Sequence, residues 1–471
     1  MRISGGTLVT SAGLKRADVV VRNHRIEAVL RPGENTGGPQ GDEPGIDATD
    51  LWVLPGAVDA HTHFGMPLGN GLTSLGWRES SEAALLGGTT TVIDFANPER
   101  EETLPSAVTR WRGMADGKIA CDYGLHCTVV QASEERLAEI PGLIKAGIPT
   151  FKGFLAYKGR LMLEPPAMKS LMAAIAAAGG LLLVHAEDGQ MNAEAQQVLT
   201  DTGRTAPRWH PLAHPPESEV RAVSQALEMA GKTGCQLEIV HASLGQTAEL
   251  VGSTRKSRQA EAAVRSTGSD RRRLLCEVCL HHLFADDRLY EAGHKAALAA
   301  TCSPPLRLNE NKAILLEKLA TGEIDFLSTD HCEFDLKTKS AAAAGGFPSV
   351  PNGCGGVGER LVVSHTLAVV NGKLSPERWV EAVASQPAEL MGLTGRKGRL
   401  EPGYDADIVL FDPRPKYRWE PLGQSDRAGS LWAGLPVQGA VRDVWLRGSQ
   451  VVAGGRMIAG EPGGLFLERR F

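Results

Sequence analysis

Residues 148–187 read IPTFKGFLAYKGRLMLEPPAMKSLMAAIAAAGGLLLVHAE. The stretch begins and ends with short apolar runs, 148–157 and 180–187, which are typical of parallel strands covered on both faces. Between them, residues 166–180 carry the apolar spacing of a helix. A strand, a helix and a second strand in this order form the repeating unit of an α/β fold with a parallel sheet.

The same alternation extends to both sides of this unit. Helical patterns recur at 80–88 and 217–234. The strand-like segments number eight, at 51–61, 89–95, 121–130, 148–157, 180–187, 235–243, 273–279 and 325–331. Eight strands alternating with helices predict a (β/α)8 TIM barrel, which we place at residues 55–395.

The two ends of the chain have a different pattern, in which apolar and polar residues alternate. Residues 17–30 predict a hairpin around Asn23-His24, and residues 405–413 and 443–455 predict further strands with a turn at Gly448-Ser449. Neither end has enough strands for a sheet with its own core. We therefore expect residues 1–54 and 396–471 to form one small β-sandwich domain beside the barrel.

Composition narrows the class of protein. The chain has 471 residues and a net charge of −5, which argues against binding to nucleic acid or to a membrane surface. No apolar run reaches the roughly 18 residues of a membrane span, and the amino-terminal residues lack the apolar core of a signal peptide. Eight cysteines are few for this length and predict a reduced, cytoplasmic protein. The basic stretch 253–273 predicts a solvated helix and loop.

Side chains that bind metals stand at the carboxyl ends of the predicted barrel strands, the face where barrel enzymes keep their active sites. Alternate residues of a strand share a face, so the histidines of HTH at 61–63 can point to one place. Imidazole and carboxylate suit zinc. The residues that predict this metal site are His61, His63, His185, His241 and Asp330.

Lys152 lies in the middle of the apolar run FKGFLAY. Two interpretations remain open from the residues alone. The stem could pack in the barrel while the amine pairs with an acid. Alternatively, nearby metal ions would disfavour the ammonium, and the neutral amine could react with carbon dioxide to form a carbamate that bridges two metals.

Several motifs together resemble those of the cyclic amidohydrolases of the amidohydrolase superfamily, and most closely the hydantoinases and dihydropyrimidinases. The resemblance covers nearly the whole chain, in family order. It rests on GAVDAHTHFGMPLG (56–69), FKGFLAYKG (151–159), LLLVHAEDG (181–189), CSPPLR (302–307), STDHCEF (328–334), PNG (351–353) and GRKGRLEPGYDADIVLFDP (395–413). It implies a metal-dependent hydrolase, usually a homotetramer or homodimer, that acts on a small cyclic amide.

The resemblance also implies a role for each metal-site residue. Two zinc ions, or other divalent metals, would share a bridging hydroxide. His61, His63 and Asp330 would bind the buried metal. His185 and His241 would bind the more exposed metal, and Lys152, carboxylated on its amine, would bridge the two.

The reaction implied by the resemblance is hydrolytic opening of a hydantoin or dihydropyrimidine ring to an N-carbamoyl amino acid. Asp330 would move the proton from the water to the departing ring nitrogen, and Tyr157 would stabilise the developing oxyanion. Ser303 and Asn352 would hold the cyclic amide through their backbone groups.

The sequence indicates the substrate less specifically than it indicates the metal site. Dihydroorotases commonly carry an arginine two residues after the second histidine of HTH, where this chain has Gly65. A neutral ring is therefore favoured, with Phe64, Leu68 and Leu72 as candidates to contact its substituent. Allantoinase activity remains an alternative. A non-catalytic dihydropyrimidinase-like binding protein is the other, although such proteins have lost the metal ligands that this chain retains.

Overall fold

The structure is a computed structural model that describes residues 1–34, 45–68, 73–264, 273–422 and 429–471, with 261–264 described by their backbone. Seven strands come first: β1 (Arg2–Ser4), β2 (Thr7–Thr10), β3 (Gly13–Arg16), β4 (Asp18–Arg22), β5 (Arg25–Leu30), β6 (Gly45–Asp47) and β7 (Trp52–Pro55). Eight follow: β8 (Ala57–Thr62), β9 (Thr89–Ala96), β10 (Asp122–Thr128), β11 (Thr150–Phe154), β12 (Leu181–His185), β13 (Gln236–Ile239), β14 (Leu274–Cys279) and β15 (Phe326–Ser328). The last are β16 (Ile408–Arg418), β17 (Pro436–Leu446), β18 (Ser449–Ala453) and β19 (Arg456–Met457).

Helices lie between the strands of the middle region. The first eight are α1 (Trp77–Leu86), α2 (Leu104–Ala115), α3 (Glu134–Ala138), α4 (Ile140–Lys145), α5 (Pro165–Ala178), α6 (Gly189–Asp201), α7 (Pro216–Thr233) and α8 (Gly245–Val264). The others are α9 (Leu280–Phe284), α10 (Arg288–Glu291), α11 (His294–Ala299), α12 (Asn309–Thr321), α13 (Leu336–Ala342), α14 (Arg360–Ser364), α15 (Pro376–Val380) and α16 (Gln386–Leu390). Within the described ranges, no helix has both the length and the apolarity needed to cross a bilayer.

Strands β8 to β15 form one parallel sheet in sequence order. The sheet curls until its edges meet, where Thr62 at the end of β8 bridges His331 just after β15. The backbone N–H of His63 donates to the carbonyl of His331 across this seam at 2.8 Å. Every residue of β9, β11 and β12 is buried, as expected for strands covered by helices outside and packed side chains inside. The predicted TIM barrel is confirmed.

The chain ends build a separate β domain from two sheets. One sheet has the order β5-β4-β1-β6, and the other has the order β19-β18-β17-β16-β7-β2-β3. Strand β7, from the amino-terminal part, lies between β16 and β2, so the two ends share one sheet. Val19 of the first sheet and Leu8, Val53 and Ile408 of the second share an apolar core. The small β domain is confirmed, and the limits 1–54 with 396–471 and 55–395 stay a proposal.

Two details differ from the sequence-based expectations. The run 51–61 is two strands, β7 in the β domain and β8 in the barrel, separated at Gly56. A Cβ on Gly56 would lie 2.2 Å from the Thr90 hydroxyl oxygen, so the chain can bend there only without a side chain. The turn after β17 is Arg447-Gly448, one residue earlier than predicted, with φ of 46° and 75°. The predicted turn at Asn23-His24 is confirmed.

A buried lysine ties the β domain to the barrel. Lys397 Nζ lies 2.6 Å from Asp122 at the start of β10. It also lies 2.7 Å from Asp407 and 3.1 Å from Asp405, which precede β16. All four side chains are buried, and the ammonium offsets part of the cost of burying the three carboxylates.

The predicted solvated helix at 253–273 is only partly solvated. Arg255 of α8 pairs with Asp325 and donates to the carbonyl of Glu323 at 3.0 Å, so this side chain is anchored to the barrel. Residues 265–272 of the basic stretch lie outside the described residues.

Candidate active site

A cavity of about 500 Å³ opens at the carboxyl ends of the barrel strands. The six predicted metal-site residues all line it: His61, His63, Lys152, His185, His241 and Asp330. They come from strands β8, β11 and β12 and from the residues directly after β8, β13 and β15. The alternation of strand and helix therefore brings together side chains that lie as many as 269 positions apart in the sequence, from 61 to 330.

Three of these side chains converge on one point. His61 Nε2 lies 3.1 Å and His63 Nε2 lies 3.0 Å from the same oxygen, Asp330 Oδ1. Ligand atoms about 2.1 Å from a zinc ion at tetrahedral angles lie about 3.4 Å from one another. Two imidazole nitrogens and a carboxylate oxygen at this spacing fit a single divalent ion, both in distance and in chemistry.

The other two histidines form a second group beside the first. The His185 and His241 rings are 4.5 Å apart between centroids, and the His241 ring is 5.6 Å from that of His61. Two imidazoles alone are few ligands for zinc. A second ion here would need a further anionic ligand.

Lys152 is 1% exposed and lies in this same cavity. Burial lowers the pKa of its amine to about 8, although the Asp330 carboxylate acts in the opposite direction. Among the described residues, its Nζ makes neither an ion pair nor a hydrogen bond, and it lies 5.1 Å from the centre of the Phe95 ring. The carboxylates that act on this amine, including that of Asp330, therefore lie beyond ion-pair distance in the described part of the chain.

Three residues of the cavity have a left-handed backbone. The φ angles are 62° at Tyr157, 40° at His241 and 47° at Asp330. This conformation is uncommon outside glycine and asparagine, and it costs on the order of 1–3 kcal/mol per residue. Each of the three follows a barrel strand, where the chain turns to direct a side chain into the cavity. Strain of this kind concentrates at functional sites.

The predicted substrate residues Tyr157, Ser303, Asn352 and Leu68 also line this cavity. Burial raises the pKa of Tyr157, and the Glu187 charge adds to this, while hydrogen bonds with Ser303 and Asn352 act in the opposite direction. The hydroxyl therefore keeps its proton at neutral pH and can donate a hydrogen bond into the cavity.

Comparison with known proteins agrees with this geometry. Residues 52–451 match the model of the amidohydrolase family. The chain belongs to the amidohydrolase family. It is 32% identical to a D-hydantoinase of Ralstonia pickettii, over 99% of this chain and 98% of that protein. It is also 32% identical to a D-phenylhydantoinase of Escherichia coli, again over 99% and 98%.

A solved structure described as a dihydropyrimidinase from Brevibacillus agri superposes with a TM-score of 0.91 at 29% identity, covering 100% of this amidohydrolase and 98% of that chain. The predicted resemblance to hydantoinases and dihydropyrimidinases is confirmed, and with it the class of enzyme, a hydrolase of this type.

One predicted substrate contact is wrong. Phe64 is fully buried and does not line the cavity of this amidohydrolase; its ring packs edge-on against Trp77 and His331. It lies one residue after His63 and so points away from the face that His63 occupies. Met66 and Pro67 line the cavity beside Leu68, while Leu72 lies outside the described residues.

Sequence reasoning also missed residues of the site. Glu277 of β14 contacts His61, 216 positions away in the chain, and no local pattern marks it. Glu187, two residues after His185 in the sequence, contacts that histidine. Arg160, in the turn after Tyr157, is the one side chain with a full positive charge on the cavity wall apart from Lys152, among the described residues.

The adjacent histidines after β14 belong to a different environment. His281 and His282 lie in α9 rather than at the end of the strand, and neither lines the cavity.

Proposed function

We propose that this amidohydrolase opens the ring of a hydantoin or dihydropyrimidine to give an N-carbamoyl amino acid. The observation that carries the proposal is one cavity that is lined both by the six ligand-type residues and by Tyr157, Ser303 and Asn352. Its volume of about 500 Å³ suits a small cyclic substrate.

Two zinc ions fit these residues. We assign His61, His63 and Asp330 to one ion and His185 and His241 to the other. Lys152, as a carbamate, would give both ions an oxygen ligand; the reaction joins its neutral amine to carbon dioxide and releases a proton. Its lowered pKa of about 8 favours this reaction because more of the amine is neutral near pH 7. When bound, the ions would supply an activated water and polarise the ring carbonyl.

The chain's own groups would guide the rest of the reaction. Burial alone would raise the pKa of Asp330, but His61 and His63 hold it well below its ordinary value. Its ionised carboxylate can accept the proton of the attacking water and pass it to the ring nitrogen that leaves. Tyr157 can donate its hydroxyl proton in a hydrogen bond to the carbonyl oxygen as charge develops there. Backbone groups of Ser303 and Asn352 would hold the cyclic amide.

Further parts of the proposal concern the setting of the reaction. We propose a neutral ring whose substituent contacts Leu68, which lines the cavity. A cytoplasmic location and a homotetrameric or homodimeric assembly complete the proposal.

An activity panel tests the substrate. Hydantoin, several 5-substituted hydantoins of both hands, dihydrouracil, allantoin and dihydroorotate would each be offered to the zinc-loaded protein. We expect hydantoin or dihydrouracil to be opened fastest. Opening of allantoin alone would replace the proposal with allantoinase activity, and fast turnover of dihydroorotate would refute the neutral ring. Less than one zinc per chain in carefully purified protein would favour a binding protein.

Lys152 variants test the metal bridge. Lys152→Ala should lose both activity and zinc, and short-chain carboxylic acids should partly restore both, because a free carboxylate can occupy the place of the carbamate. Lys152→Arg is the control, since arginine keeps the positive charge and cannot form the carbamate. Full activity in that variant would mean that the lysine is only structural.

A further inference from the structure

A buried glutamate lies behind the first metal position. Glu277 of β14 is wholly buried, and its Oε1 and Oε2 lie 2.9 Å and 3.2 Å from His61 Nδ1. Its Oε1 also accepts a hydrogen bond of 3.1 Å from the backbone N–H of His241. With the imidazole donating from Nδ1, the proton of His61 is fixed on that side, and Nε2 is the nitrogen left to bind a metal.

A second buried glutamate has the same relation to the other metal position. Glu187 is wholly buried, and its Oε2 lies 2.8 Å from His185 Nε2. The same oxygen accepts a hydrogen bond of 2.7 Å from the Ser303 hydroxyl, and Oε1 lies 2.9 Å from His214 Nδ1. Here Nε2 of the histidine is occupied, so Nδ1 is the nitrogen left to bind a metal.

We propose that Glu277 and Glu187 are positioning residues, each of which orients one histidine of a different metal position. The inference rests on the proposed function, because it needs metal ions at those positions. It goes beyond that function in assigning a role to two side chains that do not line the cavity. An ionised carboxylate without partners would not stay in a dry interior, and each of these two has partners that include a predicted metal ligand.

The two glutamates differ in what else they hold. Glu277 also fixes the backbone of His241, so its loss should have a smaller, secondary effect on the second metal position. Glu187 also holds Ser303, which lines the cavity as a predicted substrate residue. Its loss should therefore weaken metal binding and raise KM together, whereas loss of Glu277 should act mainly through the metal.

Zinc affinity measured one site at a time tests the inference. The full chain would be titrated against a chromophoric chelator in two backgrounds, His185→Ala, which leaves the first position, and His63→Ala, which leaves the second. Loss of a carboxylate that supports a metal-bound histidine lowers metal affinity about 10–100-fold. We expect this loss for Glu277→Gln in the first background and for Glu187→Gln in the second. Each variant is the matched control for the other, since both make the same change at a fully buried site.

The possible results distinguish failure of the positioning role from failure of the proposed function. If the wild-type chain binds two zinc ions and neither glutamine variant changes either affinity, the positioning role is refuted and the proposed function stands. If the two variants weaken both positions equally, the assignment of one glutamate to each histidine is refuted. If the wild-type chain binds no zinc, the proposed function fails and this inference fails with it.

Aspartate variants keep the test usable should a glutamine variant not fold. Glu277→Asp and Glu187→Asp retain the charge but withdraw it by one methylene, so we expect a loss of affinity smaller than that of the glutamine variants. Ser303→Ala separates the two functions of Glu187, because it should raise KM while leaving zinc affinity unchanged. Equal zinc loss in Ser303→Ala would contradict the proposed division of roles.

Discussion

Replacing Tyr157 with phenylalanine would remove one hydroxyl from the cavity wall and leave the ring. The ring should stay in place, since it packs 5.1 Å from the His185 ring and 5.9 Å from the Phe154 ring between centroids. The lost hydroxyl is a fixed donor held near Ser303 and Asn352. Removing one such oxyanion donor costs about 10²–10³-fold in kcat, or about 2.7–4 kcal/mol of transition-state stabilisation. We expect a fall in kcat of that size.

Steady-state kinetics on hydantoin, with zinc measured in the same preparations, would check this prediction. Tyr157 is not a proposed metal ligand, so zinc per chain should equal that of the wild type, and KM should change less than kcat. Tyr123→Phe is the matched control, because its buried ring lies outside the cavity and its hydroxyl contacts Asp116. A Tyr157→Phe enzyme with normal zinc and kcat within about threefold of the wild type would refute the oxyanion role.

Three further predictions concern a reaction rate, stability and specificity. With a pKa of about 8, the neutral fraction of Lys152 rises about fivefold from pH 7 to pH 8. Reconstitution of metal-free protein with zinc at fixed dissolved carbon dioxide should accelerate by that factor, and a pH-independent rate would contradict carbamate formation. Lys397→Met should lower the free energy of unfolding in urea by about 3–5 kcal/mol, since it leaves buried carboxylates uncompensated. Arg399→Met is the control, since Arg399 is only half-buried and pairs with the exposed Glu389; it should cost less than about 1 kcal/mol. Arg160 should attract a carboxylate at the end of a ring substituent, so Arg160→Gln should reduce the preference for a substrate with a carboxylate-ended substituent over one with an alkyl substituent. We expect a reduction of up to about fivefold in the ratio of the two kcat/KM values, the size expected for an exposed charge. An unchanged ratio would exclude a contact between Arg160 and the carboxylate.

The barrel could be predicted because each of its strands carries a local signal. Strands buried on both faces are continuous apolar runs, and the helices between them have their own spacing. The same continuous apolarity hides the boundary at Gly56 between two strands of different domains. The β7 and β8 strands are both apolar, so the run 51–61 looked like one element although it belongs to two domains. Only the three-dimensional neighbours of Gly56, such as Thr90, show why the chain turns there.

The candidate ligands could be predicted because the barrel places all strand ends on one face, so a histidine or aspartate at a strand end has a known destination. For residues in the loops beyond the strands, no comparable rule predicts where the side chain lies. Phe64 lies only one residue past His63, and packing against Trp77 takes it into the core. Glu277 illustrates another limit: it lies inside a strand, where a buried acid has no sequence signal, and its partner is 216 positions away.

The sequence and the structure give different reasons for Gly65, and the difference bears on the charge of the substrate. Gly65 favoured a neutral ring because an arginine at that position would meet an acidic substituent. In the structure, a Cβ on Gly65 would lie 2.9 Å from the Trp77 ring, and the φ of this glycine is +59°. Packing and backbone conformation thus explain the glycine without reference to any substrate. Apart from the buried Lys152, the positive side chain that lines the cavity among the described residues is Arg160, which is exposed to solvent at the turn after Tyr157.

The position of Arg160 separates two parts of the substrate. In the proposed function, the ring amide lies against the histidines, Asp330 and Tyr157. Arg160 is exposed, while those ligands are largely buried, so it can meet only what extends from the ring toward solvent. A neutral ring and an acidic substituent are therefore compatible in this cavity.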